Sequence, residues 1–396
     1  MENSQRIKQL QPSITLAAAD QAKALQAAGK DVLMLTLGEP DFVTPRNITM
    51  AAKRALDSGK TSFYTAAKGM PELLEAIILH LQKFYDVKYQ TNQVVATTGA
   101  KFALYALFQT ILNAWDEVLI PKPFWVSYVE QVQLAQGRAV FVETFEENHF
   151  KVSVDELEKR RTSKAKAVVL NSPANPTGIV YSADELRDIG EWAVENDLLI
   201  VSDDIYGRLV YNGCKFTPIV SLSEEIANHT VVINGLSKTY AMTGWRMGYA
   251  AGPTEIIAGM VKIVGQATSN LTTVTQYAAI EALVGDQSSV EAMCVEFERR
   301  LNELYPKVAA IPGFKLDKPQ GSFYLFPNVK KAMERCGFAD VTEFTGAILK
   351  ETGVALVTGA GFGAPYHLRL SYATKQEIVE EAIRRVTKFV KGYSQK

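Results

Sequence analysis

Residues 237 to 249 read Ser-Lys-Thr-Tyr-Ala-Met-Thr-Gly-Trp-Arg-Met-Gly-Tyr and lie between two short apolar segments. The preceding segment, His229-Thr-Val-Val-Ile-Asn234, is rich in β-branched residues, and the following one is Met247-Gly-Tyr-Ala-Ala-Gly252. Both are typical of buried strands. The sequence therefore predicts that Lys238 lies on a loop between two core strands, eight residues before Arg246.

Lys238 and Arg246 together indicate a particular chemistry. An amine in a largely desolvated pocket beside other cations loses proton affinity and becomes a nucleophile toward carbonyls. The planar fork of donors on an arginine suits a phosphate. A pyridoxal phosphate (PLP) Schiff base requires both features. For an arbitrary lysine and arginine, solvated positions on a surface loop would be the commoner explanation.

Apolar strand candidates alternate with amphipathic helices over much of the chain, which predicts an α/β protein with a mainly parallel sheet. The predicted strands cover residues 93–97, 117–121, 165–170, 197–202, 230–234 and 248–251. The predicted helices lie near residues 100–113, 183–195 and 255–263.

The C-terminal part has a different character. Long charged helices near residues 287–308 and 340–351 flank short strands at 323–326 and 368–372. This pattern indicates a smaller α+β domain, which the N-terminal residues would complete. We expect an N-terminal arm and part of the small domain in residues 1–45, a large domain in 46–290 and the rest of the small domain in 291–396.

Composition excludes several classes of protein. The 42 basic and 43 acidic side chains nearly cancel, so no overall field favours nucleic acid or an acidic membrane. Three widely separated cysteines argue for a reducing, cytoplasmic compartment. Four scattered histidines lack metal-ligand spacing. No apolar run approaches the ~18 residues of a membrane span.

One glycine-rich segment imitates a dinucleotide-binding motif. Gly359-Ala-Gly-Phe-Gly-Ala364 follows a strand-like run, but such a site needs a helix immediately afterwards. Pro365 and a strand-like segment follow instead. The sequence therefore predicts a turn at this place rather than a nicotinamide site.

Three polar side chains follow predicted strands, in the loops where open α/β sheets bind ligands. Asn175 lies in the proline-rich loop 171–178 and could reach a ring hydroxyl, with an ordinary turn as the alternative. Asp203 would need a partner, either a protonated pyridine nitrogen or the helix end that it caps. Tyr206, one helical turn onward, would donate to the same ring or belong to the core.

A second group of candidates could bind anions and the ring face. The helix that opens at Thr97-Thr-Gly-Ala-Lys101 offers free N–H groups to a phosphate. Lys101 opposes the helix dipole there, which an anionic partner or plain exposure would explain. Trp125 could stack on a planar ring or simply pack. Arg369, between leucines, needs a substrate carboxylate or a structural salt bridge.

Taken together, these residues resemble the class I aminotransferases of the fold type I PLP enzymes, most closely the bacterial aspartate aminotransferase branch. The resemblance extends from Pro12 to Ala373. It implies a large PLP-binding domain with a mainly parallel, seven-stranded type of sheet covered by helices, and a smaller α+β domain made from both chain ends. It also implies a homodimer with shared active sites and ping-pong transamination between amino acids and 2-oxo acids, with aspartate and 2-oxoglutarate preferred.

The resemblance gives each matching position a role. Lys238 would be the catalytic residue, which forms the Schiff base and then moves the proton. The cofactor-binding residues would be Gly99, Ala100, Trp125, Asn175, Asp203, Tyr206, Lys238, Arg246 and, across the dimer interface, Tyr64. The substrate-binding residues would be Gly38, Lys101, Trp125, Asn175 and Arg369. Arg369 would hold the α-carboxylate and Lys101 the distal carboxylate, with Ser13 or Thr15 as further candidates.

Two positions depart from the family pattern. Gly235 stands where many relatives have a phosphate-binding serine, so Ser237 or backbone groups would compensate. Asp204 stands where the branch usually has glutamate, with little expected consequence. The alternatives are a broad-specificity or aromatic transaminase, a PLP β-lyase or decarboxylase, and a PLP-binding transcriptional regulator. The regulator would require an additional helix-turn-helix segment.

Overall fold

The computed structural model describes residues 2–11 and 14–393. In these ranges the α-helices are α1 (Gln5–Gln9), α2 (Ile14–Ala27), α3 (Arg46–Asp57), α4 (Pro71–Tyr85), α5 (Ala100–Ile111), α6 (Ser127–Leu134), α7 (Val154–Arg160), α8 (Ala183–Glu195), α9 (Glu224–Asn228), α10 (Thr254–Ala267), α11 (Thr273–Val284), α12 (Ser288–Ala309), α13 (Lys330–Cys336), α14 (Val341–Thr352) and α15 (Gln376–Tyr393). The strands are β1 (Leu33–Met34), β2 (Val94–Thr97), β3 (Glu117–Pro121), β4 (Arg138–Val142), β5 (Ala165–Asn171), β6 (Leu199–Asp203), β7 (Thr230–Gly235), β8 (Gly248–Ala251), β9 (Tyr324–Leu325), β10 (Val354–Ala355), β11 (Val357–Thr358) and β12 (Leu368–Ser371).

The central sheet has seven strands in the order β2-β8-β7-β6-β5-β3-β4. Strand β8 is antiparallel to both of its neighbours, and the remaining adjacent pairs are parallel. The predicted α/β class with a mainly parallel sheet is confirmed. Edge strand β4 was not predicted, because only Val140 and Val142 are buried in it and it lacks the continuous apolar run of the inner strands.

Helices cover both faces of this sheet. Adjacent residues of β7 point to opposite sides, with Val231 in the cluster formed with α5, α6 and α10 and Val232 in the cluster formed with α4 and α11. This alternation is the normal geometry of a strand, and burial on both faces is typical of parallel sheets. Burial on both faces explains why the sequence of β7 is an uninterrupted apolar run.

The sheet topology gathers the candidate site residues at one edge. Parallel strands β5 and β6 end at Asn171 and Asp203, which are paired in register. The adjacent strand β7 ends at Gly235, three residues before Lys238. The carboxyl edge of an open α/β sheet is where ligands bind, so this topology positions the site.

The two ends of the chain meet in a smaller unit. Strand β1 pairs in parallel with β10, with Leu33 opposite Val354, and β11, β12 and β9 form a separate antiparallel sheet. We propose a division into residues 1–45, 46–290 and 291–396, whose second limit falls inside α12. The segment Gly359–Phe362 forms a short 3-10 turn that leads into β12, as the sequence predicts.

Among residues 2–11 and 14–393, no helix combines the length and the apolar character needed to cross a membrane.

Candidate active site

A cavity of about 280 Å³ lies at the carboxyl edge of the central sheet. Its walls come from the segment before α3, the start of α5, the ends of β5 and β6, the Lys238 loop and β12. Ten predicted site residues line it: Gly38, Ala100, Lys101, Trp125, Asn175, Asp203, Tyr206, Lys238, Arg246 and Arg369. The fold therefore assembles side chains that are separated by more than 300 positions in the sequence.

Lys238 is half-buried in this cavity, and its Nζ donates a hydrogen bond to the carbonyl oxygen of Gly38 at 2.5 Å. Burial lowers the pKa of the Lys238 amine to about 8. The nearby positive charges of Arg246 and Arg369 act in the same direction. A substantial neutral fraction near neutral pH makes the amine a competent nucleophile and proton acceptor.

Asp203 is only 4% exposed. Its Oδ2 accepts a hydrogen bond from the Tyr128 hydroxyl at 2.6 Å, and its Oδ1 accepts one from the backbone N–H of Ile205 at 3.3 Å. Burial raises the pKa of the Asp203 carboxyl to about 6, although these hydrogen bonds and Lys238 favour the ionised form. A cationic ring nitrogen beside this carboxylate would offset its desolvation.

Arg369 is 2% exposed. Its Nη1 donates to Asn175 Oδ1 at 3.0 Å, and its Nη2 donates to the carbonyl oxygen of Thr36 at 2.9 Å. Its buried Nε has no hydrogen-bond partner among the described residues. The guanidinium lies 4.4 Å from the centroid of the Tyr324 ring. A buried arginine that is held by neutral oxygens alone can accept an anionic ligand.

Tyr206 lines the cavity together with Tyr324. Its hydroxyl is 2.9 Å from the hydroxyl of Tyr324. Burial raises the pKa of Tyr206 well above its usual value, so the phenol stays protonated and can donate to a ligand oxygen. Because Asn175 uses its Oδ1 for Arg369, its NH₂ group can donate to the same oxygen.

The start of α5 forms an anion-binding corner. Gly99 caps this helix with φ +85°, a conformation that favours glycine. A Cβ at Gly99 would lie 2.5 Å from Nη2 of Arg246, so only a glycine allows the arginine to approach the backbone this closely. The amides of Ala100 and Lys101 precede Phe102, the first backbone donor of the helix. Free amides beside a guanidinium suit a phosphate.

Lys101 and Trp125 form the remaining wall, with Nζ of Lys101 4.9 Å from the centroid of the indole. Lys101 is exposed. Partial burial of its amine and the positive charge of Arg246 nevertheless lower the pKa of Lys101. Lys101 is thus one of four cationic side chains in the cavity, together with Lys238, Arg246 and Arg369.

Two predicted site residues do not line the cavity. Gly99 stands directly behind its wall, against Arg246. Tyr64 is 89% exposed on the surface of its own chain. Ser13 and the side chain of Thr15, the further candidates for the distal carboxylate, lie outside the described residues.

The positions that depart from the family pattern are also constrained. A Cβ at Gly235 would lie 2.9 Å from the carbonyl oxygen of Met247, so a serine there would require the backbone to move. Ser237 does line the cavity. Asp204 does not line it, and its Oδ1 accepts a hydrogen bond from Ser202 at 2.6 Å. Burial and the neighbouring Asp203 raise the pKa of Asp204 to about 8.

Among the cavity-lining residues that sequence reasoning missed, three have side chains that form hydrogen bonds within the site. Tyr128 bonds to Asp203, Asn171 donates from Nδ2 to the Asp203 carbonyl oxygen at 2.8 Å, and Tyr324 contacts Tyr206. Asn171 could have been predicted, because it directly follows the predicted strand 165–170, as Asp203 follows the predicted strand 197–202. Tyr128 and Tyr324 could not have been predicted, because an aromatic residue in a helix or a short strand is usually a core residue.

The residues present fit PLP. The corner at Gly99 and Arg246 would take the phosphate, Asp203 the pyridine nitrogen and Tyr206 the ring oxygen. Lys238 would be the point of attachment. Arg369, which lines the cavity and is hydrogen-bonded only to neutral oxygens in the described structure, would take a carboxylate beside the ring.

Comparison with known proteins gives a consistent result. The family Aminotransferase class I and II matches residues 30–386. The chain is 59% identical to the asparagine–oxo-acid transaminase of Streptococcus mutans, over 98% of both chains. It is 50% identical to the aspartate aminotransferase of Bacillus subtilis, over the full length of both. The aspartate aminotransferase of Thermus thermophilus, solved with maleate, superposes with a TM-score of 0.93 at 37% identity, over 98% of this chain and 99% of that one.

Proposed function

The chain belongs to the class I and II aminotransferases and is a PLP-dependent enzyme, and from this we propose that it transfers the amino group of L-aspartate to 2-oxoglutarate. The products are oxaloacetate and L-glutamate, and the two half-reactions follow each other in a ping-pong cycle. The observation that carries this choice is that two cations, Arg369 and Lys101, line the cavity in addition to Lys238 and Arg246. Relatives at 50% and 51% identity are named aspartate aminotransferases.

Arg369 and Lys101 bind opposite ends of the substrate. All amino acids carry an α-carboxylate, which Arg369 binds with the donors that face the cavity. A distal carboxylate would be rejected by an apolar wall, and Lys101 supplies the charge that accepts it. Aspartate, glutamate and the corresponding 2-oxo acids share both groups, so one cavity serves both half-reactions.

Lys238 is the residue that attaches the cofactor and moves the proton. When bound, PLP supplies a carbonyl carbon for the amino group and a ring that accepts the electrons released at the substrate α-carbon. With PLP bound, Nζ of Lys238 would accept the proton from the substrate α-carbon and donate it to the cofactor carbon. Its lowered pKa of about 8 suits a group that must both accept and donate a proton.

The residues around the ring hold its charge distribution in place. Asp203 keeps a proton on the pyridine nitrogen, and Tyr128 and Ile205 orient its carboxylate through the hydrogen bonds described above. Tyr206 and Asn175 donate to the ring oxygen, and Trp125 covers one face. Gly99, Ala100 and Arg246 bind the phosphate. Ser237 adds a hydroxyl, which replaces the serine that many relatives have at the position of Gly235.

Asparagine is the second candidate for the amino donor. The relative at 59% identity is named an asparagine–oxo-acid transaminase, and asparagine has the same length as aspartate but a neutral distal amide. A lysine can donate a hydrogen bond to that amide oxygen, but the attraction to a full charge is absent. The aromatic or broad-specificity alternative has less support, because an aromatic side chain makes no use of Lys101.

Replacing Lys101 by alanine is expected to lower kcat/KM for aspartate by about 2–4 kcal/mol, roughly 30- to 1000-fold, because one partner of a close charge pair is removed. Activity with alanine or phenylalanine should change by less than about tenfold, since neither carries the distal charge. Asparagine should fall between these limits. Steady-state kinetics with the four donors and a common 2-oxo acid measures the pattern.

Lys330→Ala is the matched control, because that lysine lies 5.0 Å from the Tyr366 ring centroid and outside the cavity. It should leave all four donors unchanged. Equal losses for acidic and neutral donors in Lys101→Ala would instead make Lys101 a phosphate-binding or structural residue. A selective loss with asparagine alone would favour the second candidate.

We propose that the enzyme is a homodimer whose partner subunit contributes a tyrosine to each site. Tyr64 and Phe63 are 89% and 74% exposed, and exposed aromatic side chains of this size are typical of interfaces. Tyr64 does not line the cavity of its own chain. Its predicted contact with the phosphate therefore requires a second copy.

Tyr64→Phe is expected to weaken PLP binding by about 10- to 100-fold, the effect of losing one hydrogen bond to a charged group. Equilibrium dialysis against PLP measures the loss, and Tyr366→Phe, another exposed tyrosine, is the control. Mixed dimers of Tyr64→Phe with Lys238→Ala should regain activity at limiting PLP. One of the two sites in such a mixed dimer would then contain native Lys238 from one subunit and native Tyr64 from the other. Mixtures that show no gain would place Tyr64 in its own subunit's site.

We further propose a cytoplasmic location. The three cysteines, Cys214, Cys294 and Cys336, are free thiols. Free thiols are the usual state in a reducing compartment.

A further inference from the structure

A second cavity, of about 220 Å³, lies behind the Lys238 loop. Gly235, Leu236, Thr239 and Tyr240 in its wall flank the active-site lysine on both sides. No residue lines both this rear cavity and the active-site cavity. The rear cavity is therefore separate from the active-site cavity, although different residues of the Lys238 loop line each of them.

Arg208 gives the rear cavity an uncompensated positive charge. Its guanidinium carbon lies 3.9 Å from the centroid of the Phe84 ring. Its Nη1 is buried and has no hydrogen-bond partner among the described residues. None of the ion pairs between described residues includes Arg208. Arg208 is half-buried. Leaving its one buried donor without a partner has a free-energy cost, which an anion bound at that donor would relieve.

The other titratable groups of the wall cannot supply the missing negative charge. His80 is 5% exposed, and its Nδ1 also lacks a hydrogen-bond partner among the described residues. Burial and Arg208 lower the pKa of His80 to about 3, so the ring is neutral. Burial raises the pKa of Tyr240 to about 12 and the pKa values of Tyr85 and Tyr249 well above the usual value, so these phenols are neutral as well.

The remaining wall is largely aromatic. Phe84, Tyr85, Phe216 and Tyr249 contribute rings to it. An apolar cavity of about 150 Å³ is large enough for benzene, so the rear cavity has room for a ring of that size and a carboxylate. A dicarboxylate would leave its second charge against aromatic carbon, which is unfavourable.

We propose that the rear cavity is a binding site for a small monocarboxylate with an apolar or aromatic body, whose carboxylate pairs with Arg208. The chemical class follows from the single unpaired cation, the neutral polar groups and the aromatic walls. The site is independent of the substrate preference proposed above.

Calorimetric titration of the holoenzyme with benzoate tests this site. Saturating succinate, a dicarboxylate without a transferable amino group, occupies the active site through Arg369 and Lys101. Benzoate should still bind once per chain. Arg208→Met should weaken this binding by at least about tenfold, as expected when a charge-assisted hydrogen bond is lost. Arg187→Met is the control, because that arginine lies on the surface of α8 and outside the cavity.

Diffraction from holoenzyme crystals soaked with 4-bromobenzoate locates the ligand through the anomalous signal of bromine. The expected result is a bromine peak between Phe84, Phe216 and Tyr249, with the carboxylate at Arg208. Bromine found only in the active site, or benzoate affinity that Arg208→Met leaves unchanged, would overturn the proposal. So would complete competition by succinate. If Arg208→Met fails to fold, the bromine position in the wild-type enzyme decides alone.

Discussion

Lys238→Ala is expected to lower kcat by at least about four orders of magnitude. General acid–base catalysis by a positioned side chain contributes about 10²–10⁴-fold, and this variant also loses the covalent attachment of the cofactor. The amine of Lys238 lies in the cavity with a pKa lowered to about 8 by burial, and no other lysine except Lys101 lines that cavity in the described structure. Lys101 has a different proposed task at the distal end of the substrate.

PLP should nevertheless remain bound to the Lys238→Ala variant, because the phosphate corner at Gly99 and Arg246 is unchanged. Borohydride reduction of the wild-type enzyme, followed by peptide mass analysis, should place the cofactor on Lys238. Lys166→Ala, which removes an exposed lysine of β5, is the control and should retain full activity. Cofactor found on any other lysine would contradict the assignment.

The second large effect is expected at Asp203. Asp203→Ala should raise the activation barrier by about 3–4 kcal/mol, roughly 10²–10³-fold in kcat, because a preorganised charge that stabilises the transition state is removed. PLP affinity should change much less, since the phosphate and Lys238 contacts remain. The measurement is kcat at saturating PLP together with a cofactor titration.

Asp204→Asn is the matched control for this prediction. Asp204 is also a buried carboxyl at the end of β6, but it bonds to Ser202 and does not line the cavity. It should leave kcat within about tenfold of the wild type. Near-normal kcat in Asp203→Ala would show that Asp203 is a structural partner of Tyr128 and Ile205 alone.

Periodicity in the sequence was sufficient to predict the inner part of the sheet. The predicted apolar runs are buried on both faces, as in β7 and in residues 167–170 of β5. Their polar end residues could then be assigned to one edge, because parallel strands end on the same side. Lys238, Asp203 and Arg369 were found by this reasoning or by the family pattern, and all three line the same cavity.

The remaining features depend on contacts between distant parts of the chain. Strand β4 alternates between buried and partly exposed residues at the sheet edge, so it lacks the signal of the inner strands. Tyr128 reaches Asp203 across 75 positions, and Tyr324 reaches Tyr206 across 118. Local sequence does not distinguish such tyrosines from core residues. The rear cavity around Arg208 likewise forms only in the folded chain, where α4 lies against the Lys238 loop.

The preference for acidic substrates is the central claim, and a rapid-mixing half-reaction panel tests it most directly. The absorbance of the enzyme-bound cofactor is followed after mixing the wild-type holoenzyme with aspartate, glutamate, asparagine, alanine or phenylalanine, without a 2-oxo acid. If Arg369 and Lys101 bind the two carboxylates, the second-order rate constants for aspartate and glutamate should exceed those for alanine and phenylalanine by at least about 30-fold. Equal rate constants for aspartate and phenylalanine would contradict the account and identify a broad-specificity transaminase.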